Sequence, residues 1–218
     1  MTGAFTARPF EPDLLWRWLA ARSIARGLPL PVPDHGGMRV DTGSADEVRR
    51  YLFAGVLPAL FELAATIELP KVYIKVCAAA GEVHGLPPRW RVRHSGYLMA
   101  QDGPPCDLPA PLPGHRIECE QDDAVTAVRI LAGDGTVAAS GYAAEHAGVF
   151  ILDRILVDPA HRRRGLGRAL VTALCSMQRA GASRRVLVAT DEGCALYSTL
   201  GWHVLSPYTT AVIPAPSQ

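Results

Sequence analysis

From residue 115 onward the apolar positions fall into short blocks with the spacing of strands, interrupted twice by helical periodicity. His115–Gln121 and Ala124–Ala132 read as strands, and Asp134-Gly135 is a hairpin turn signal before a third strand, Thr136–Ala144. Val149–Val157 is almost continuously apolar, as expected of a strand buried on both faces. From about Gly165 to Ala180 the period changes. Leu166, Leu170, Ala173, Leu174 and Met177 fall on one face of a helix that Gly181 is placed to end. A short strand (Arg185–Ala189), a helix (Glu192–Leu200) closed by Gly201, and a last strand (Trp202–Ile213) complete a β-β-β-β-α-β-α-β order. That order predicts a mixed sheet with helices packed on it, an α/β arrangement.

The N-terminal stretch is less regular. Glu11–Arg26 predicts an amphipathic helix carrying Leu14, Leu15, Trp18, Leu19 and Ile24 among several arginines. Ser44-x-x-Glu47 has the form of a capping box, predicting a second helix through about Ile67, with strands at Lys71–Cys77 and Trp90–Met99. Residues 101–114 hold five prolines and two glycines, the composition of an extended linker. The expected organisation is therefore an N-terminal α/β lobe (1–100), a linker (101–114) and a second domain (115–218). An internal echo relates the two. Met38–Asp41, a helix, Lys71–Val76 and Trp90-Arg-Val parallel Ile155–Asp158, a helix, Arg185–Ala189 and Trp202-His-Val. The first copy has Gly43-Ser-Ala-Asp-Glu where the second has glycines and arginines, so it reads as a degenerate repeat without that loop.

Composition narrows the function classes. With 22 basic and 21 acidic side chains and 49% hydrophobic residues, the chain is neither disordered nor the net-basic surface that nucleic-acid binding requires. The five cysteines are widely spaced, with no C-x-x-C and no Cys/His pairing at metal-ligand spacing. They read as reduced, apolar residues of a cytoplasmic protein, and no metal is expected. No signal peptide and no membrane span are visible; the longest candidate, Tyr51–Ile67, is broken by Pro58 and Glu62. Only Lys71 and Lys75 are lysines, so nearly every basic residue is an arginine.

Those arginines gather at one place. In Ile155-Leu-Val-Asp-Pro-Ala-His-Arg-Arg-Arg-Gly-Leu-Gly-Arg-Ala-Leu170, a buried strand ends, a proline turn follows, and Arg162, Arg163, Arg164 and Arg168 surround Gly165 and Gly167 at a helix start. The first N–H groups of a helix lack intrahelical partners and carry the positive end of its dipole. Glycines admit a close ligand, and guanidinium groups add directed donors. The segment therefore suits a phosphate or pyrophosphate. It is not the dinucleotide fingerprint, because position 170 is Leu rather than a third Gly, and no Gly-Lys-Ser/Thr makes it a P-loop. Arg162 to Gly167 is instead an R-x-x-G-x-G motif. Together with Ala195-Leu-Tyr-Ser-Thr-Leu-Gly-Trp202 it resembles the GNAT superfamily of acyl-CoA-dependent N-acetyltransferases over about residues 115–213.

The resemblance implies a GNAT-like fold, a mostly antiparallel twisted sheet flanked by helices and splayed at the acyl-CoA site. It implies acetyl transfer from acetyl-CoA to a primary amine of a small molecule or peptide, by direct attack in a ternary complex without a covalent intermediate. The backbone of Ile155, Leu156 and Val157 would bind the acyl and pantetheine portion, and Arg163, Arg164, Gly165, Leu166, Gly167 and Arg168 the pyrophosphate. Tyr197 would protonate the departing thiolate, a role a neutral phenol can fill. Cys175 and Cys194 need not be nucleophiles. Two positions depart from the family pattern: Thr190 replaces a common Asn at a CoA contact, and Ile151 a common Glu that acts as general base. Asp153 is placed by period-two alternation on the face of Ile151 and Val157, and either serves as base or pairs with an arginine. Glu145 and His146 are other candidates. Arg17, Trp18, Arg22 and Arg26 either wall the acceptor cleft or, the preferred reading, form a solvated helix face. Glu118, Glu120, Asp122 and Asp123 are candidates for an acidic acceptor cleft. The competing class is a non-catalytic acyl-CoA sensor or interaction protein on the same scaffold.

Overall fold

The apolar blocks become strands of one sheet. The computed structural model describes residues 12–103 and 112–215, so most of the expected linker lies outside the described residues. The strands are β1 (Val32–Asp34), β2 (Gly37–Asp41), β3 (Arg49–Phe53), β4 (Val72–Val76), β5 (Arg91–Gln101), β6 (His115–Asp122), β7 (Val125–Ala132), β8 (Val137–His146), β9 (Val149–Val157), β10 (Arg184–Ala189) and β11 (His203–Val212). Their order in the sheet is β1-β2-β3-β4-β11-β5-β10-β9-β8-β7-β6. Among the described residues only β3–β4 and β9–β10 pair in parallel. The helices are α1 (Pro12–Ile24), α2 (Pro58–Thr66), α3 (Leu166–Ser176) and α4 (Asp191–Ser198).

Strand alternation divides the side chains between two faces. On one face Val149 and Ile151 of β9, Val186 of β10 and Leu52 of β3 pack with Leu14, Leu15, Trp18 and Leu19 of α1. On the other, Phe150 and Leu152 of β9 and Leu187 of β10 meet Leu166, Leu170 and Leu174 of α3. On that same second face Phe53 of β3 and Ile74 of β4 meet Leu60 and Leu63 of α2. Each fully buried leucine contributes roughly 1.5–3 kcal/mol, so the face fixes which residues are left to build the cleft.

A half-turn about an axis between β11 and β5 maps the order and direction of β1–β5 onto β7–β11. Under it β3-α2-β4 matches β9-α3-β10, and β5 exchanges places with β11. The partner of β9 is thus β3, not the Met38–Asp41 segment of the sequence echo, which is β2. The sheet runs unbroken across the expected boundary between lobes.

Two helix expectations are corrected. Ser44 and Glu47 do bond to each other, with Glu47 N–H donating to Ser44 Oγ at 3.0 Å, but they close a turn. The Glu47 carboxylate is held by Arg50 at 2.5 and 2.8 Å instead of reaching back to cap a helix. The following Arg-Arg-Tyr-Leu-Phe is β3, and the helix begins only at Pro58, where a missing N–H costs nothing. Helix α3 stops at Ser176, short of Gly181, because Glu145 takes the N–H groups of Arg179 and Ala180 at 3.0 and 3.2 Å.

Candidate functional site

Parallel strands β9 and β10 pair only through Arg184↔Val149, Arg185↔Phe150 and Val186↔Ile151. Beyond Ile151 the two strands separate. At Arg154, with φ of +53°, β9 also bulges against β8, where the register jumps between Ser140↔Leu156 and Tyr142↔Asp153. The bulge shifts the alternation by one. Asp153 stays on the α1 face with Ile151, but Ile155 and Val157 turn to the α3 face. This corrects the expectation that Asp153 and Val157 share a face; a period-two count does not see an inserted residue.

Where the strands part lies a cleft of about 1020 Å³. It runs from the start of α3, past the ends of β9 and β10 and the inner side of α4, to α1. Of the residues expected in the site, Asp153, Ile155, Leu156, Val157, Arg163, Gly165, Leu166, Gly167, Arg168, Thr190 and Tyr197 all line it. Arg164 does not, while Arg162 does. Glu145, His146 and the acidic residues of β6 lie away from it. Glu145 is spent on the turn after α3, and Glu118, Glu120, Asp122 and Asp123 are solvent-exposed on or just beyond the edge strand β6.

At the α3 end, Gly165 caps the helix with φ of +82°, a left-handed conformation that costs a glycine nothing. A side chain at Gly167 would press on Leu196 of α4, at 3.1 Å from its added carbon, so the glycine lets α4 sit against the loop. The opening N–H groups of α3 have no acceptor within the helix, which leaves them free for a ligand. Arg168 is steadied by a 3.0 Å hydrogen bond from Nη2 to Thr199 Oγ1, and Arg162 donates to the Val157 carbonyl at 3.4 Å. Donors, positive charge and a splayed strand edge fit an anionic, elongated ligand.

Tyr197 is buried against Trp202, ring centroids 5.7 Å apart, with its ring on the cleft wall. Burial, followed by the neighbouring Cys175 thiol, pushes its phenol well above the ordinary value, so it keeps its proton at neutral pH. Thr190 caps α4, its hydroxyl accepting from Gly193 N–H at 3.2 Å. Cys175 is fully buried in α3.

The far end of the cleft is built by α1, and here the solvated-face reading of its arginines is overturned. Trp18 is 2% exposed, and Arg22 and Arg26 line the cleft; Arg17 alone stays outside, paired with Asp13 at 2.9 Å. Arg26 grips both oxygens of Asp153 at 2.5 and 2.9 Å, with Arg22 Nε at 3.4 Å and Arg154 Nε at 3.5 Å. Burial alone would raise the Asp153 carboxyl. The Arg26 hydrogen bonds and the charges of Arg22, Arg26 and Arg154 outweigh it and hold the group below the usual carboxylate range. Sequence reasoning ranked α1 as surface because nothing local marks Asp153, 127 residues away, as its counter-ion.

Residues 119–204 match the family model of the GNAT acetyltransferase domain. Solved structures share the fold over nearly the whole chain. A GCN5-related N-acetyltransferase from Kribbella flavida superposes with a TM-score of 0.59 at 16% identity, covering 91% of this chain and 96% of that one. A GNAT-family acetyltransferase from Novosphingobium aromaticivorans gives 0.59 at 20% identity, covering 93% and 97%. A GCN5-related N-acetyltransferase from Sphaerobacter thermophilus gives 0.54 at 14% identity, covering 97% and 96%. No curated protein matches the sequence. The segment 119–204, which contains the splayed strand, the loop and Tyr197, thus matches the GNAT acetyltransferase domain, and the whole sheet has the GNAT fold. No helix among the described residues is long and apolar enough to cross a membrane.

Proposed function

We propose that the chain transfers an acetyl group from acetyl-CoA to an amine by direct attack in a ternary complex. The observation that carries this reading is one cleft holding the open edge of β9, the glycine–arginine start of α3 and the protonated Tyr197. Acetyl-CoA would supply an activated acyl group and a thiol leaving group. The start of α3 with Arg163 and Arg168 would hold its pyrophosphate, and the backbone of Ile155–Val157 its pantetheine arm and carbonyl, in the manner of an oxyanion site. Tyr197 keeps a proton on Oη for the departing sulfur. In this reading Asp153 organises arginines and does not take the proton of the amine, since both its oxygens accept from Arg26 and its lowered carboxyl range makes it a weak base.

The test is release of free CoA from acetyl-CoA with a broad amine panel. Tyr197→Phe is expected to lower kcat by roughly 10²–10⁴-fold, the usual scale for losing a general acid, while acetyl-CoA affinity holds. CoA release no higher than background with every amine, with Tyr197→Phe indistinguishable from wild type, leaves only a binding protein.

A further inference from the structure

Beyond the acyl site the cleft ends in an excess of positive charge. Arg22, Arg26 and Arg154 line that end around a single carboxylate, Asp153, whose two oxygens are already taken by Arg26. The layer behind adds two more basic groups. Arg50 of β3 is 3% exposed, and Lys75 of β4 shares its sheet face; the Glu47 carboxylate beside them is committed to Arg50. Four guanidinium groups and the Lys75 amine therefore share two carboxylates, and both carboxylates are occupied.

Arg22 is where the imbalance reaches the cleft. Its guanidinium stacks over Trp18, 5.6 Å from the ring centroid, and Trp18 is itself braced edge-on by Tyr208 at 6.2 Å. Its Nε faces Asp153, but its buried Nη1 has no hydrogen-bond partner. A buried guanidinium N–H without an acceptor is costly, and a bidentate fork is suited to a carboxylate. The surroundings report the same surplus. Burial first, then the charge of Arg50, lowers Arg22 to about 10; burial, then Arg50 and Arg22, lowers Lys75 to about 7. The pocket wants an anion.

We propose that the acceptor is an amine that also carries a carboxylate, and that the buried, unpartnered Nη1 of Arg22, on a guanidinium stacked over Trp18, is the carboxylate's anchor. This rests on the acetyl-transfer reading and names its substrate class. The amine end would then lie toward Ile155, two residues along β9 from Asp153. Free amino acids and the carboxylates of short peptides share this chemistry. A preference for polyamines is excluded by it.

The experiment compares straight-chain amino acids of increasing length with the alkylamines that lack their carboxylate, with diamines, and with acidic peptides. The carboxylated amines are expected to show kcat/KM about tenfold to a hundredfold above their neutral counterparts. Arg22→Gln should raise their KM at least about tenfold and erase the preference, and Arg22→Lys should restore part of it. Acetyl-CoA affinity, set at the other end of the cleft, reports that each variant is folded. Whether the gain appears with free amino acids or only with peptides identifies the source. Calorimetry of the same amino acids on the CoA-loaded protein reads the anchor without turnover. Carboxylate binding that Arg22→Gln abolishes, in a protein that transfers no acetyl group, supports the anchor and defeats the proposed function. Equal or better use of neutral amines and diamines, or a carboxylate preference that survives Arg22→Gln, overturns the anchor and leaves acetyl transfer standing.

Discussion

In the N-terminal crossover, β3 and β4 stay paired from Arg49↔Val72 to Phe53↔Val76; in the C-terminal crossover, β9 and β10 pair through Val186↔Ile151 and then part. The two are related by a half-turn of the same sheet, each with its helix on the same face. What differs is small and local. The second has a bulge at Arg154 that turns Ile155 and Val157 toward α3, and a glycine start to its helix; the first opens α2 on Leu57-Pro58 with no glycine or arginine there. A parallel crossover by itself is therefore only a packing unit. It becomes a site when one strand leaves its partner and the helix start is stripped of side chains, which frees backbone donors without exposing the core. The N-terminal half bears on the cleft in another way: α1 walls its far end with Arg22 and Arg26, and β3 and β4 place Arg50 and Lys75 behind them.

The largest expected effect separates packing from binding. Leu60 of α2 and Leu170 of α3 are both fully buried, so Leu60→Ala and Leu170→Ala should each cost about 2–5 kcal/mol in denaturant unfolding. Only Leu170→Ala should also weaken acetyl-CoA binding, since α3 carries the anion loop. Equal loss of affinity from Leu60→Ala breaks the division of labour between the crossovers.

A smaller effect tests the charge stored in the N-terminal half. In the unfolded chain Lys75 titrates near the ordinary lysine value of 10.5, and in the folded protein at about 7. Between those values the unfolded state binds the extra proton, so stability should rise with pH from 7 toward 10.5 and be level below 7, at most ~1.4 kcal/mol per pH unit. Measured from pH 7 to 8, before the Cys77 thiol of the unfolded chain titrates around 9 and opposes it, Lys75→Met should flatten the rise and raise Tm at pH 7. A wild-type profile that is flat over this range means Lys75 is not held in that cationic layer.

Legibility in the sequence followed how local each cause is. The strands from β6 to β11, the helix start at Gly165 and the Arg162–Gly167 motif depend on neighbours within a few residues, and they lie where periodicity put them. Strand β3 was hidden because Ser44 and Glu47 make the same mutual contact in a turn as in a helix cap. The bulge at Arg154 inserts one residue and so defeats alternation, and α1 reads as surface in the sequence because its counter-ion stands on β9. The exchange of β5 and β11 is set by pairing across the whole sheet and leaves no local trace.

The finest test lies within the loop itself. Arg168 lines the cleft and is tied to Thr199, Arg163 lines it with φ of +61°, and Arg164, next to Gly165 in the same turn, does not line it. Removing a charged donor to a phosphate costs about 1–3 kcal/mol, so Arg163→Ala and Arg168→Ala should each weaken acetyl-CoA binding roughly five- to a hundredfold. Arg164→Ala removes the same charge from the same turn without removing a lining group, and should change affinity by no more than about twofold, increasingly less as salt is raised. Calorimetric titration at two ionic strengths distinguishes the cases. If the three arginines weaken binding equally and the difference disappears in salt, the helix start acts as a diffuse positive field; if Arg163 and Arg168 persist in high salt, their side chains bond the ligand directly, as their place in the cleft requires.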